Sequence, residues 1–121
     1  MKKILVVDGN EMLCRLACEI LQTEGYRAVP ASSGTEALQA FEKEDFDLLV
    51  TDFVMPGMSG VELARAIHDK TPGFPVIVMT AFGPVECEHI KLWLPKEYLF
   101  PRLLEKIRFC LSETELEKVA K

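Results

Sequence analysis

Four polar residues far apart in the chain could together hold a cation and an anion. Asp8 closes the apolar run ILVV at 4–7, Asp52 follows LLVT at 48–51, Thr80 follows VIVM at 76–79, and Lys96 comes just after WLP at 93–95. Two carboxylates suit a hard cation, while a hydroxyl and an ammonium suit an anion brought to it. A carboxylate can also attack phosphorus or carbon as a nucleophile. Each residue alone has a plainer role. An aspartate at a strand end commonly forms a turn or caps a helix, a threonine suits a strand, and a lone lysine is usually a surface amine. Their shared position after apolar runs, with Gly57 and Gly60 loosening the chain after Asp52, raises the functional reading above the plainer one.

The elements that must position them follow from hydrophobic pattern. The runs at 4–7, 48–50 and 76–79 are continuous rather than alternating, as in central parallel strands covered on both faces. RAVPA at 27–31 contains Pro30, which cannot donate to a ladder and suits an edge. IKLWL at 90–94 alternates and suits the other edge. Leu13, Leu16, Ala17, Ile20 and Leu21 form a helical stripe that stops before Gly25, a C-terminal cap. Ser33-x-x-Glu36 and Ser59-x-x-Glu62 read as capping boxes, opening helices over 34–44 and 60–69. A last helix begins near Leu99 or Phe100, its apolar face built from Leu103, Leu104, Ile107, Cys110 and Leu111, with a charged end that frays.

This alternation predicts an α/β fold with right-handed crossovers: a flavodoxin-like, doubly wound, five-stranded parallel sheet of order 2-1-3-4-5. AFGPVECEH at 81–89 has room for only a turn or two, so the fourth crossover helix is expected to be shortened or missing. Ligands in such sheets bind beyond the carboxyl ends of the strands, at the switch point between strands one and three. Asp8 and Asp52 are expected there.

With 121 residues, 49% of them hydrophobic, the chain is expected to form a single domain over 1–121 with a full core. Its net charge of −5, with scattered Lys and Arg, argues against direct nucleic-acid binding. MKKILVVD is too short an apolar stretch for a signal peptide or membrane span, so a cytoplasmic protein without membrane insertion is expected. Cys14, Cys18, Cys87 and Cys110 show no disulfide or CxxC spacing and are expected to be buried free thiols.

The stretches KILVVD, LLVTDFVMPGMSGVEL, PVIVMTAFG and WLPK resemble, in order, the receiver domain of two-component response regulators. The resemblance covers essentially the whole chain. It implies a phosphorelay signalling domain rather than an enzyme, although one able to catalyse its own phosphoryl transfer. By that match Asp52 is the phosphoacceptor, and Mg²⁺ is held by Asp8, Asp52 and the backbone carbonyl of Val54. Thr80 is then the hydroxyl that moves to the phosphoryl group, Lys96 its ion-pair partner, and Trp93 the switch aromatic. Implied partners are a sensor histidine kinase or phosphotransfer protein and, because no second domain follows the last helix, a downstream protein target.

Three departures from the family pattern bear on function. Gly9 stands where a second acid generally contributes a magnesium ligand, so weak Mg²⁺ binding is expected. Glu97 and Tyr98 replace the usual proline and aromatic after the lysine, and a trans peptide before Glu97 is expected. The interval from Thr80 to Lys96 is short by roughly one and a half to two helical turns, which would leave apolar groups on strands four and five, or Trp93 itself, exposed as a contact patch unless Phe82, Val85 and Ile90 cover the sheet. These departures favour an alternative reading, an unphosphorylated pseudo-receiver that serves as a protein-interaction module. A haloacid-dehalogenase-type phosphatase with Asp8 as nucleophile would need an acid where Asn10 stands. A flavin carrier would need a phosphate-cradling loop after strand one, and none is present.

Overall fold

The computed structural model describes residues 1–80, 89–95 and 99–120, with side chains omitted at 95, 99–101 and 114–120. The chain runs β1 (Lys3–Val7), α1 (Glu11–Thr23), β2 (Arg27–Ala31), α2 (Gly34–Lys43), β3 (Leu48–Asp52), α3 (Gly60–Lys70), β4 (Val76–Thr80), β5 (Leu92–Pro95) and α4 (Leu99–Ala120). The sheet order is β2-β1-β3-β4-β5, every pair parallel. This is the predicted doubly wound sheet, with β2 and β5 at its edges. Each edge strand carries a proline, Pro30 in β2 and Pro95 in β5.

Strand alternation splits the core into two layers. Ile4, Val6, Leu48, Val50, Ile77, Met79 and Leu94 pack with α1 and α4, joined by Leu103 and Ile107. Leu5, Val7, Leu49, Val76 and Val78 pack with α2 and α3, against Ala37, Leu63 and Ile67. The three central strands are buried on both faces, which is why their sequences are apolar without alternation.

Helix α1 corrects the expected stripe. Its buried face is Cys14, Ala17, Cys18 and Leu21, whereas Leu16 is 41% exposed. The thiols act as small apolar groups, and Cys14 Sγ approaches the Val6 carbonyl at 3.3 Å. Cys14, Cys18 and Cys110 are all buried, with no disulfide among them, and burial pushes the Cys110 thiol up to about 11. The expectation for Cys87 lies outside the described residues.

The caps form as the serines predict, Ser33 Oγ accepting from Glu36 N and Ser59 Oγ from Glu62 N, each at 3.1 Å. The Glu36 carboxylate, however, accepts from the Ser32 hydroxyl at 2.7 Å instead of closing the expected box. Gly25 takes φ +91 just past α1, as a C-terminal cap requires. Strand β5 begins at Leu92, two residues later than predicted, because 89–91 form a turn and bend. α4 continues as helix to Ala120 rather than fraying after its apolar face. The expected loss of the fourth crossover helix falls on residues 81–88, outside those described.

Candidate functional site

Register brings the predicted residues together. Val7 pairs with Thr51, so Asp8 and Asp52 each follow a paired residue at the carboxyl ends of neighbouring strands. Asp52 itself pairs with Met79, and Thr80 is the next residue along. Thr80 in turn pairs with Pro95, the residue before Lys96. Lys96, Glu97 and Tyr98 lie outside the described residues, as does the peptide bond expected to be trans. Asp8, Asp52 and Thr80 are 2%, 8% and 3% exposed, so three polar side chains are held almost out of solvent at one rim.

Asp8 is fixed by a local turn. Its backbone N–H donates to Ala31 O at 3.2 Å, and its Oδ1 accepts from Asn10 N at 2.8 Å. Asn10 then caps α1, its Oδ1 accepting from Met12 N and Leu13 N at 3.1 and 3.2 Å. Asn10 is therefore used by the helix terminus, and the plainer role of Asp8 as turn former coexists with its place at the rim. Gly9 between them has no positive φ, and a Cβ there would meet only Pro56 Cδ at 3.8 Å. Nothing in the backbone demands glycine at this position.

The loop after Asp52 is closed by contact rather than left loose. Gly60 N donates to Phe53 O at 2.8 Å, and a Cβ on Gly60 would stand 2.3 Å from Asp52 O. Only glycine lets the start of α3 approach the strand end so closely. Gly57 takes φ +80 in the turn between. Met55 is buried and Thr51 Oγ1 donates to Asp52 O at 3.1 Å, while Val54 stands 64% exposed.

Trp93 is half-buried and meets Phe53 edge to face, with centroids 5.7 Å apart and planes at 77°. It is thus packed, together with Ile90, against the α2–α3 layer, and the expectation of an exposed Trp93 patch is corrected. Phe82 and Val85 lie outside the described residues. Phe53 was missed by sequence reasoning. The available signal was its aromatic character directly beside Asp52.

Asp8 and Asp52 place two carboxylates, hard oxygen donors, at the rim. Among the described residues no group of three or more His, Cys, Asp or Glu side chains is placed to hold a metal ion. Two carboxylates still fit Mg²⁺, which keeps several waters of its own. Glu11 lines a cleft of about 240 Å³ with Asp8, Ser32 and Glu36, against Pro30 and Ala31 of β2. No helix among the described residues is long and apolar enough to cross a membrane.

Comparison with known proteins agrees with this geometry. The family model "Response regulator receiver domain" matches residues 4–92. The transcriptional regulatory protein ZraR of Klebsiella oxytoca is 33% identical over 112 residues, 91% of this chain but 25% of ZraR. The chain thus spans about a quarter of that relative's length. The response regulator receiver protein CpdR of Brucella abortus is 34% identical over 85 residues, covering 70% of this chain and 71% of CpdR. Among solved structures, a CheY-like receiver domain protein from Methanospirillum hungatei superposes with a TM-score of 0.89 at 32% identity, covering 97% of this chain and 98% of that one. The response regulator TrrA of Thermotoga maritima, solved in complex with Mg(2+)-BeF, superposes with a TM-score of 0.83 at 36% identity, covering 92% and 100%. TrrA has also been solved in complex with the histidine kinase ThkA. With its parallel 2-1-3-4-5 sheet and its acidic rim at the switch point, the chain belongs to the response regulator receiver domain family of two-component signalling.

Proposed function

We propose that Asp52 accepts a phosphoryl group and that the domain passes the signal to a protein partner. The observation that carries this reading is the register bringing Asp8, Asp52 and Thr80 to one buried rim. An Asp52 carboxylate oxygen forms a bond to phosphorus while the bond from phosphorus to the donor breaks, leaving an acyl phosphate. Asp8, Asp52 and the Val54 carbonyl would hold Mg²⁺, which offsets the repulsion between the two anions when bound. Thr80 offers a hydroxyl and Lys96 an ammonium to the added dianion. Trp93 touches the ring of Phe53, the residue that follows the phosphoacceptor, and reads its state through that contact.

The ThkA–TrrA complex supports a histidine kinase as the phosphoryl donor to this chain, and the cytoplasm is the compartment in which we place the transfer. A downstream protein then receives the output. Gly9 supports a second reading, in which the pocket binds Mg²⁺ too weakly for phosphoryl transfer and the domain works as an unphosphorylated interaction module.

One experiment separates the two. Trp93 fluorescence and intact mass are followed during titration with Mg²⁺ and then with beryllofluoride or acetyl phosphate, in wild type and Asp52→Asn. A magnesium-dependent change and a phosphoryl mass shift, both lost in the folded variant, are expected. An adduct that persists in Asp52→Asn would move the nucleophile elsewhere, and a silent wild type at millimolar Mg²⁺ would favour the interaction module.

A further inference from the structure

Gly34 opens α2, far in sequence from Asp52, and is buried. Its φ is not positive, so the backbone does not call for glycine. The reason for glycine is contact. A Cβ at Gly34 would stand 2.8 Å from Met58 Sδ, 2.9 Å from Met58 Cβ and 3.1 Å from Met58 Cγ. The Sδ could swing aside, but Met58 Cβ is fixed to the backbone of the loop over 53–59, so an added methyl must displace the loop itself. Two residues beyond Met58, Gly60 sits against Asp52 O with the same intolerance. The loop after Asp52 is therefore gripped from two helices, at Met58 by α2 and at Gly60 by α3.

We infer that Gly34 is a positioning residue for the site: its missing side chain seats Met58 and sets the loop that carries Phe53 and Val54 beside Asp52. The inference rests on the proposed role of Asp52 for its functional consequence, while its structural half stands on the contact alone. A displacement at Met58 has little slack to absorb it before Asp52, because the Gly60 N–H to Phe53 O bond and the Phe53–Trp93 ring contact lie in the same short path. A merely local helix effect predicts the opposite outcome, since alanine is the better helix former.

The test is a cycle of Gly34→Ala, Met58→Gly and the double variant, read by ¹H–¹⁵N spectra without added metal and by Mg²⁺ titration of Trp93 fluorescence. Gly34→Ala is expected to shift the amide signals of Asp52, Phe53 and Gly60 and to weaken Mg²⁺ binding at least fivefold. In the Met58→Gly background the same substitution is expected to change neither, because the obstructing Cβ is gone. Unmoved signals over 52–60 in Gly34→Ala, or equal effects in both backgrounds, would overturn the inference. If Gly34→Ala fails to fold, the double variant decides: a folded double variant with the amide pattern of Met58→Gly alone supports the contact, and one that also fails to fold refutes it. Wild type that ignores Mg²⁺ would sink the proposed function, and the metal-free spectra would still judge Gly34.

Discussion

Replacing Gly9 with aspartate adds a carboxylate at the rim without a steric cost, because the new Cβ meets only Pro56 Cδ at ordinary contact distance and φ is already negative. Gly9→Asp is expected to tighten Mg²⁺ binding by about tenfold or more, equivalent to about 1.4 kcal/mol. Calorimetric titration of both proteins checks this, and unchanged affinity would mean that position 9 does not face the metal. Gly60 is the opposite case. Gly60→Ala forces a methyl into Asp52 O and is expected to lower stability by about 1–3 kcal/mol, seen as a lower urea midpoint with an unchanged slope. An unaltered midpoint would show that α3 can retreat freely from the strand end.

At the scale of elements, the start of α1 depends on one side chain. Asn10→Ala removes the acceptor for Met12 N and Leu13 N and is expected to cost about 1 kcal/mol. Asn10→Asp should keep most of that stability, since aspartate caps equally well; a large loss in both variants would place the role of Asn10 elsewhere. The strands were legible because burial on both faces leaves runs such as ILVV and VIVM with no alternation to confuse. The helix caps were legible because Ser33 and Ser59 bond locally, within three residues. The face of α1 was legible only in part: Cys14 and Cys18 were expected to be buried, but Leu16 was counted in the apolar stripe, whereas the tight space beside β1 and β2 selects the smaller side chains. At the site, Asp8, Asp52 and Thr80 could be read because each closes an apolar run. The Phe53–Trp93 contact and the grip of Gly34 on Met58 could not, because both join residues whose separation only the folded sheet removes.

Across the whole molecule, the end of α2 is tied to both β1 and β2 by charge. The Lys3 ammonium bonds Glu44, with Arg27 3.8 Å from the same carboxylate, and the Lys3 bond first of all holds the Glu44 carboxyl below its ordinary 4.5. A carboxyl whose folded pKa is depressed adds stability above its unfolded value and loses it as pH falls through the folded one. Urea midpoints measured from pH 6 to pH 3 should therefore drop more steeply below about 4.5 in wild type than in Glu44→Gln; parallel curves would show that the pair is fully screened by solvent.

The two prolines at the sheet edges carry a consequence for association. Pro30 in β2 and Pro95 in β5 each lack the N–H that a growing ladder needs, so neither margin offers an uninterrupted template for a foreign strand. The domain is thereby guarded against fibrillar stacking and strand exchange. A strand added at either margin would meet a missing donor, at Pro30 or at Pro95. Side chains on the helices and loops, by contrast, can be exchanged without removing a donor from the ladder.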